Sequence, residues 1–147
     1  MSTVMGAVDA ADATITPNAT NHEGLAALAS RYVDVASLPW EATRFPGIQV
    51  KTLLKNDQTG LLTTLVKMDP GAVLPDHEHV EIEQTWVLEG ALIDDEGAAE
   101  AGSFVWRPAG SRHGARAPDG ALLVGFFLKP NRFFDIEEAP RGFDPVR

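Results

Sequence analysis

Three of the four histidines in this 147-residue chain, His77, His79 and His113, fall within residues 71–113, together with the carboxylates of Glu81 and Glu83. Imidazole nitrogen and carboxylate oxygen suit Fe(II), Mn(II), Ni(II), Cu(II) or Zn(II). The chain has no cysteine, so thiolate zinc sites and iron–sulfur clusters are excluded. Side chains at i and i+2 of a strand point to one face, so His77 and His79 can grip a single ion. Glu81 and Glu83 share that parity and either could add an oxygen, whereas Glu78 faces away. Three imidazoles and one carboxylate on an octahedral ion leave two positions open for water, substrate or dioxygen. His22, in a polar N-terminal stretch, reads as an ordinary surface histidine.

The elements that must position these groups are short strands between turns. Gly71, after Asp69-Pro70, opens one strand and Gly90 closes the next. Gly102 starts a third, and Pro108-Ala109-Gly110 bends the chain so that His113 returns toward the first pair. Strands are expected over residues 48–54, 61–68, 73–79, 84–88, 91–94, 103–107, 113–117 and 122–128, with turn signals at Asn56-Asp57-Gln58-Thr59-Gly60 and Pro118-Asp119-Gly120. Many short strands at regular spacing predict an all-β barrel or sandwich.

Ahead of them, residues 1–22 read as a flexible arm, 23–29 as a short helix, 31–35 as a strand and 38–40 as a linker anchored by Trp40. Residues 23–147 then form a single domain, with an irregular tail from Lys129. Phe133, Phe134 and Phe143 in that tail are expected to pack on the core or join a dimer interface. Trp86, of opposite parity to Glu83, packs on the other face, while Phe104 and Trp106 share one parity and either line the mouth of the barrel or fill the core, with core preferred. Arg107 and Arg112 flank the Pro108 turn and read as solvated charges, one of which could hold an anionic group of a substrate.

Composition narrows the partners. Twelve basic against 21 acidic side chains give a formal net charge of -9, which argues against nucleic acid and anionic membranes. No run approaches the ~20 apolar residues of a membrane helix, and no basic n-region with an apolar core begins the chain, so a cytoplasmic location is expected.

Gly71, five residues, His77-Glu78-His79, three residues, Glu83, six residues, Gly90; then Gly102, five residues, Pro108, Gly110, two residues, His113: this spacing resembles both signature motifs of the cupin superfamily. The resemblance implies a double-stranded β-helix, or jelly-roll barrel, with its metal-binding core in residues 71–113. It selects Glu83 over Glu81, so that His77, His79, Glu83 and His113 would hold one divalent metal ion, Fe(II) before Zn, Mn, Ni or Cu. Ala117 stands where the second motif often ends in Asn.

Residues 39–47, 94–97 and 101–113 resemble more narrowly the small single-domain group that includes the cupin half of ChrR-type anti-sigma factors and the acetylacetone-cleaving or dihydroxyacetophenone dioxygenases. Complete anti-sigma factors of that type add a Cys/His zinc module, and the diketone-cleaving enzymes hold iron with three histidines and no carboxylate. The function this implies is a mononuclear metal dioxygenase acting on a small carbonyl or phenolic compound, with Glu83 also serving as a catalytic proton acceptor. The alternatives are a non-catalytic metal-binding sensor or a redox-neutral isomerase or lyase. A homodimer is expected.

Overall fold

The computed structural model describes residues 13–134. Eleven strands form a curled antiparallel sheet: β1 (Thr14–Ile15), β2 (Glu41–Ala42), β3 (Ile48–Asn56), β4 (Leu62–Met68), β5 (Ala72–Glu78), β6 (Glu83–Ile93), β7 (Ala98–Glu100), β8 (Phe104–Arg107), β9 (Arg112–Ala117), β10 (Ala121–Phe127) and β11 (Arg132–Phe133). The strand order is β1-β3-β4-β10-β6-β9-β5-β11, with β2 on β3 and both β7 and β8 on β6. This is the expected all-β jelly-roll barrel. Among the described residues the one helical turn is a 3-10 segment, Val35–Ser37, and no helix is long and apolar enough to cross a membrane.

Alternation explains the packing. Leu62, Thr64, Val66 and Met68 of β4, and Ala121, Leu123 and Phe127 of β10, turn inward and are buried. They meet Val50, Leu74, Val87, Leu92 and Ala115 in one apolar core.

β6 is the hinge of the barrel. Its first half pairs with β8 and β10, its second with β7 and β9. Between the halves its register against β10 slips, with Leu122 opposite Glu89 and Leu123 opposite Val87. Bulges of this kind bend a strand so that it can serve two sheets. Gly90 is therefore not a turn that ends the strand, as its sequence context suggests; β6 runs on through it at φ 69°. A Cβ there would lie 2.1 Å from the Gly120 carbonyl oxygen, so only glycine fits.

The N-terminal region departs from expectation. Residues 23–29 form turns rather than a helix, because Gly24 takes a φ of 77° that breaks a helical run. Residues 31–35 pair with no strand. The Tyr32 carbonyl instead accepts from Asn21 Nδ2 and His22 Nε2, and the Val35 carbonyl accepts from Lys51 Nζ. Within the expected arm, Thr14–Ile15 pairs with Asn56 and Lys55 of β3; residues 1–12 lie outside the described residues. The tail is not irregular from its start, since β11 adds to the edge of β5. Phe133 is buried in the core as expected, Phe134 is exposed, and Phe143 lies outside the described residues.

Candidate metal centre

β5 delivers His77, and His79 just past its end, by changing face. Ala72 and Leu74 point into the core; the pairing of β5 with β9 then slips between Leu74 and His77, so the inward set becomes His77 and His79. Pro75, which has no N–H to give a ladder, occupies the irregular position. Across it Gly114 of β9 passes close, where a Cβ would meet the Leu74 carbonyl oxygen at 3.3 Å. His113 of β9 stands directly opposite His77.

The three rings cluster with centroids 4.6, 4.8 and 5.0 Å apart. One ligand atom from each lies within 4.8 Å of the others.

Each imidazole is oriented by its Nδ1. His77 Nδ1 donates to the Pro75 carbonyl at 2.8 Å, and His79 Nδ1 to the Ser111 carbonyl and hydroxyl at 3.0 and 2.8 Å. The Ser111 hydroxyl in turn donates to the Pro108 carbonyl. His113 Nδ1 donates to Asp94 Oδ2 at 3.0 Å. These four acceptors place the proton on each Nδ1 and leave three Nε2 lone pairs available, as metal-binding histidines require.

Glu83 enters from the start of β6. Its Oε1 accepts from the Thr85 hydroxyl at 3.0 Å and its Oε2 from the Asn131 amide at 3.2 Å. Oε2 also lies 2.8 Å from His79 Nε2, yet that buried nitrogen makes no aligned hydrogen bond. Two donor atoms in contact but misaligned are what neighbouring ligands of one ion look like: metal–ligand bonds of about 2.1 Å at right angles place the donors ~3 Å apart. The three histidines fit a divalent ion, and Glu83 stands beside His79 outside the group whose ligand atoms all lie within 4.8 Å of one another. Glu81, half-buried in the bend between β5 and β6, has no part in this cluster.

Burial and charge set the protonation. Burial pushes the His77 ring down to about 4, against the opposing hydrogen bond to Pro75 and the charge of Glu83. Burial also lowers His113, helped by Arg107 and His79 and opposed by Asp94. For Glu83 burial acts upward, but the His79 ring, His77 and the Asn131 amide outweigh it and hold the carboxyl below its ordinary range. His77 and His113 held toward the neutral form, beside an ionised Glu83, are in the forms that bind metal.

The outer support depends on Asp94, a residue whose role the sequence motifs do not reveal. Its Oδ1 accepts from the Glu96 and Gly97 amides, while Oδ2 takes both His113 Nδ1 and Arg107 at 2.9 Å. Burial pushes this carboxyl up; the two amides, Arg107 and His113 together bring it below its ordinary range. Arg107 is thus buried and paired, not a solvated charge. Arg112 remains at the surface on Asp76. Asn131 was equally hidden, because nothing local ties it to a glutamate 48 residues earlier. The inward parity of Arg107 with Val105 was the one readable signal.

Beneath the triad, Val66, Met68, Leu74, Leu92, Ala115 and Leu123 line a small, nearly filled apolar cavity that Arg107 and Glu83 also touch.

A family model described as the ChrR Cupin-like domain matches residues 28–130. No curated protein matches the chain in sequence. Among solved structures, the acetylacetone dioxygenase of Acinetobacter johnsonii aligns at a TM-score of 0.61 and 18% identity over 88% of this chain and 91% of its own. A Methylibium petroleiphilum PM1 protein assigned to the same activity aligns at 0.67 and 21% over 82% and 88%. The Rhodobacter sphaeroides SigE–ChrR anti-sigma complex aligns at 0.54 and 22% over 63% of this chain and 50% of the matched one. At these identities the solved structures establish a shared fold.

Proposed function

The chain belongs to the ChrR cupin-like family, and from that membership we propose that it is a mononuclear metal-dependent dioxygenase of small carbonyl or phenolic compounds. The observation that carries this reading is the cluster of His77, His79 and His113, whose ligand atoms all lie within 4.8 Å of one another, with His79 Nε2 2.8 Å from Glu83 Oε2. His77, His79, His113 and Glu83 would be the ligands, with Fe(II) favoured over Zn, Mn, Ni or Cu. When bound, such an ion supplies Lewis acidity and open positions where a substrate oxygen and dioxygen can meet.

The protein's own groups do the rest. Pro75, Ser111 and Asp94 keep the three rings aimed inward. The apolar wall of Val66, Met68, Leu74 and Leu123 excludes bulk water, which strengthens every charge interaction inside. Glu83, ionised and steadied by Thr85 and Asn131, is placed to accept a substrate proton on a carboxylate oxygen. The protein would work as a cytoplasmic homodimer.

Oxygen uptake by Fe(II)-reconstituted protein, measured against a panel of β-diketones, hydroxyketones and catechols, tests the reading. At least one member should drive metal-dependent oxygen consumption; none doing so would refute it. A second reading, a metal-dependent protein-binding module, is favoured by the likeness to ChrR, which is held in complex with a sigma factor. It predicts a metal-dependent protein complex and no turnover.

A further inference from the structure

The outer face of the sheet is covered over one half and bare over the other. One cross-strand row shows the transition. Lys51 of β3 stands opposite Leu65 of β4, Leu65 opposite Val124 of β10, Val124 opposite Trp86 of β6, and Trp86 opposite Phe104 of β8. At the β3 end the chain covers itself. Lys51 Nζ donates to the Val35 carbonyl and, like Lys67, sits against the Trp40 ring, leaving Lys51 7% and Leu65 9% exposed. At the β8 end Trp86 is 52% and Phe104 54% exposed.

The next row, Phe126–Gln84–Trp106, ends in a Trp106 that is 58% exposed. The expectation that Phe104 and Trp106 fill the core is thereby corrected. The inward positions of β8 belong to Val105 and Arg107, with Arg107 in register with the buried Glu83.

We propose that this bare face, centred on Trp86, Phe104 and Trp106, is where a second copy of the chain docks, patch on patch about a two-fold axis. The inference rests on the homodimer named above and assigns its surface. Three aromatic side chains about half exposed, with Leu88 and Phe126 beside them, present roughly 500 Å² of apolar area, at the upper end of what monomers leave bare. A stable interface needs about 800 Å² per partner, of which an apolar centre of this size is the larger share and a polar rim the remainder.

No charged side chain stands in the two rows across β10, β6 and β8, so two copies that each carry a net charge of -9 can meet there without bringing like charges together. β8 pairs with β6 alone among the described strands and so borders the patch with a free edge. The described chain does not itself reach this face from its ends. It begins beside β1, at the far side of the sheet, and ends at Phe134, whose amide donates to the Asp76 carbonyl of β5.

Sedimentation velocity on the full metal-loaded chain over a micromolar dilution series tests this. Wild type should sediment as a dimer. Trp86→Glu and Trp106→Glu should each weaken association at least about tenfold, with metal content and far-UV circular dichroism unchanged, since both residues face away from the barrel interior.

A monomeric wild type would overturn both the homodimer and its surface, even if another protein were found to bind the patch. Dimers as tight in both variants as in wild type would leave the homodimer standing and overturn the surface. Should the glutamate variants fail to fold, hydrogen exchange on wild type decides: β6 and β8 should gain protection from dilute to concentrated solution, and equal protection at both would overturn the proposal.

Discussion

Acid should destabilise the metal-free protein well before its carboxylates titrate, and His77 sets the size of the effect. Its ring is 1% exposed and burial lowers its pKa from 6.5 to about 4. Between those values the unfolded chain binds a proton that the folded chain does not. Stability therefore rises with pH through this window, is complete above about 6.5, and is lost as pH falls toward 4. A separation of about 2.5 units at ~1.4 kcal/mol per unit gives roughly 3 kcal/mol in all, of which about 2 kcal/mol falls between pH 7 and pH 5. His113, lowered in the same direction, steepens the slope. Glu83 and Asp94 also lie below their ordinary values, but their contribution is lost only at more acid pH, outside this interval. Urea unfolding of chelator-treated protein at pH 7 and pH 5 measures the difference, and His77→Gln should flatten it. An unfolding free energy unchanged between pH 7 and pH 5 would mean that burial does not hold His77 neutral in the folded chain.

Other perturbations separate the parts of the centre. Glu83→Gln should leave three imidazoles able to hold an ion but weaken metal affinity at least about tenfold, as read by competition with a chromogenic chelator; unchanged affinity would remove Glu83 from the ligand set. Asp94→Asn leaves Arg107 with only the exposed Glu96 carboxylate at 3.8 Å and should lower the stability read by denaturant unfolding, by less than the about 3–5 kcal/mol of a fully unpaired buried charge. The same variant should also lose about 10–100-fold in metal affinity, because His113 loses its carboxylate. Gly90→Ala drives a methyl into the Gly120 carbonyl at a positive φ and should lower stability by more than 1 kcal/mol, seen as a reduced thermal midpoint.

The histidine pair was legible because strand alternation is local: His77 and His79 face one way however the rest of the barrel is arranged. Motif spacing selects Glu83 over Glu81, and the parity argument that also points to it does not apply, since residues 80–82 bend between two strands and Glu83 arrives on β6. Alternation failed where bulges shift it, within β5 between Leu74 and His77 and within β6 near Gly90. An inward Phe104 and Trp106 would put Arg107 outside. The inner face of β8 is in fact set by the charges it must satisfy, Arg107 meeting Asp94 beside His113. Asp94 and Asn131 act across 19 and 48 residues, distances at which one sequence carries no pairing signal.

Three imidazoles held by Nδ1, with Glu83 beside them, should bind a transition metal. Elemental analysis of untagged protein purified without chelator, alongside a His77→Ala, His79→Ala double variant, decides the matter. Near-stoichiometric transition metal per chain in the wild type and its loss from the variant is the predicted result. No metal in the wild type after exposure to Fe(II), or equal metal in both proteins, would contradict it.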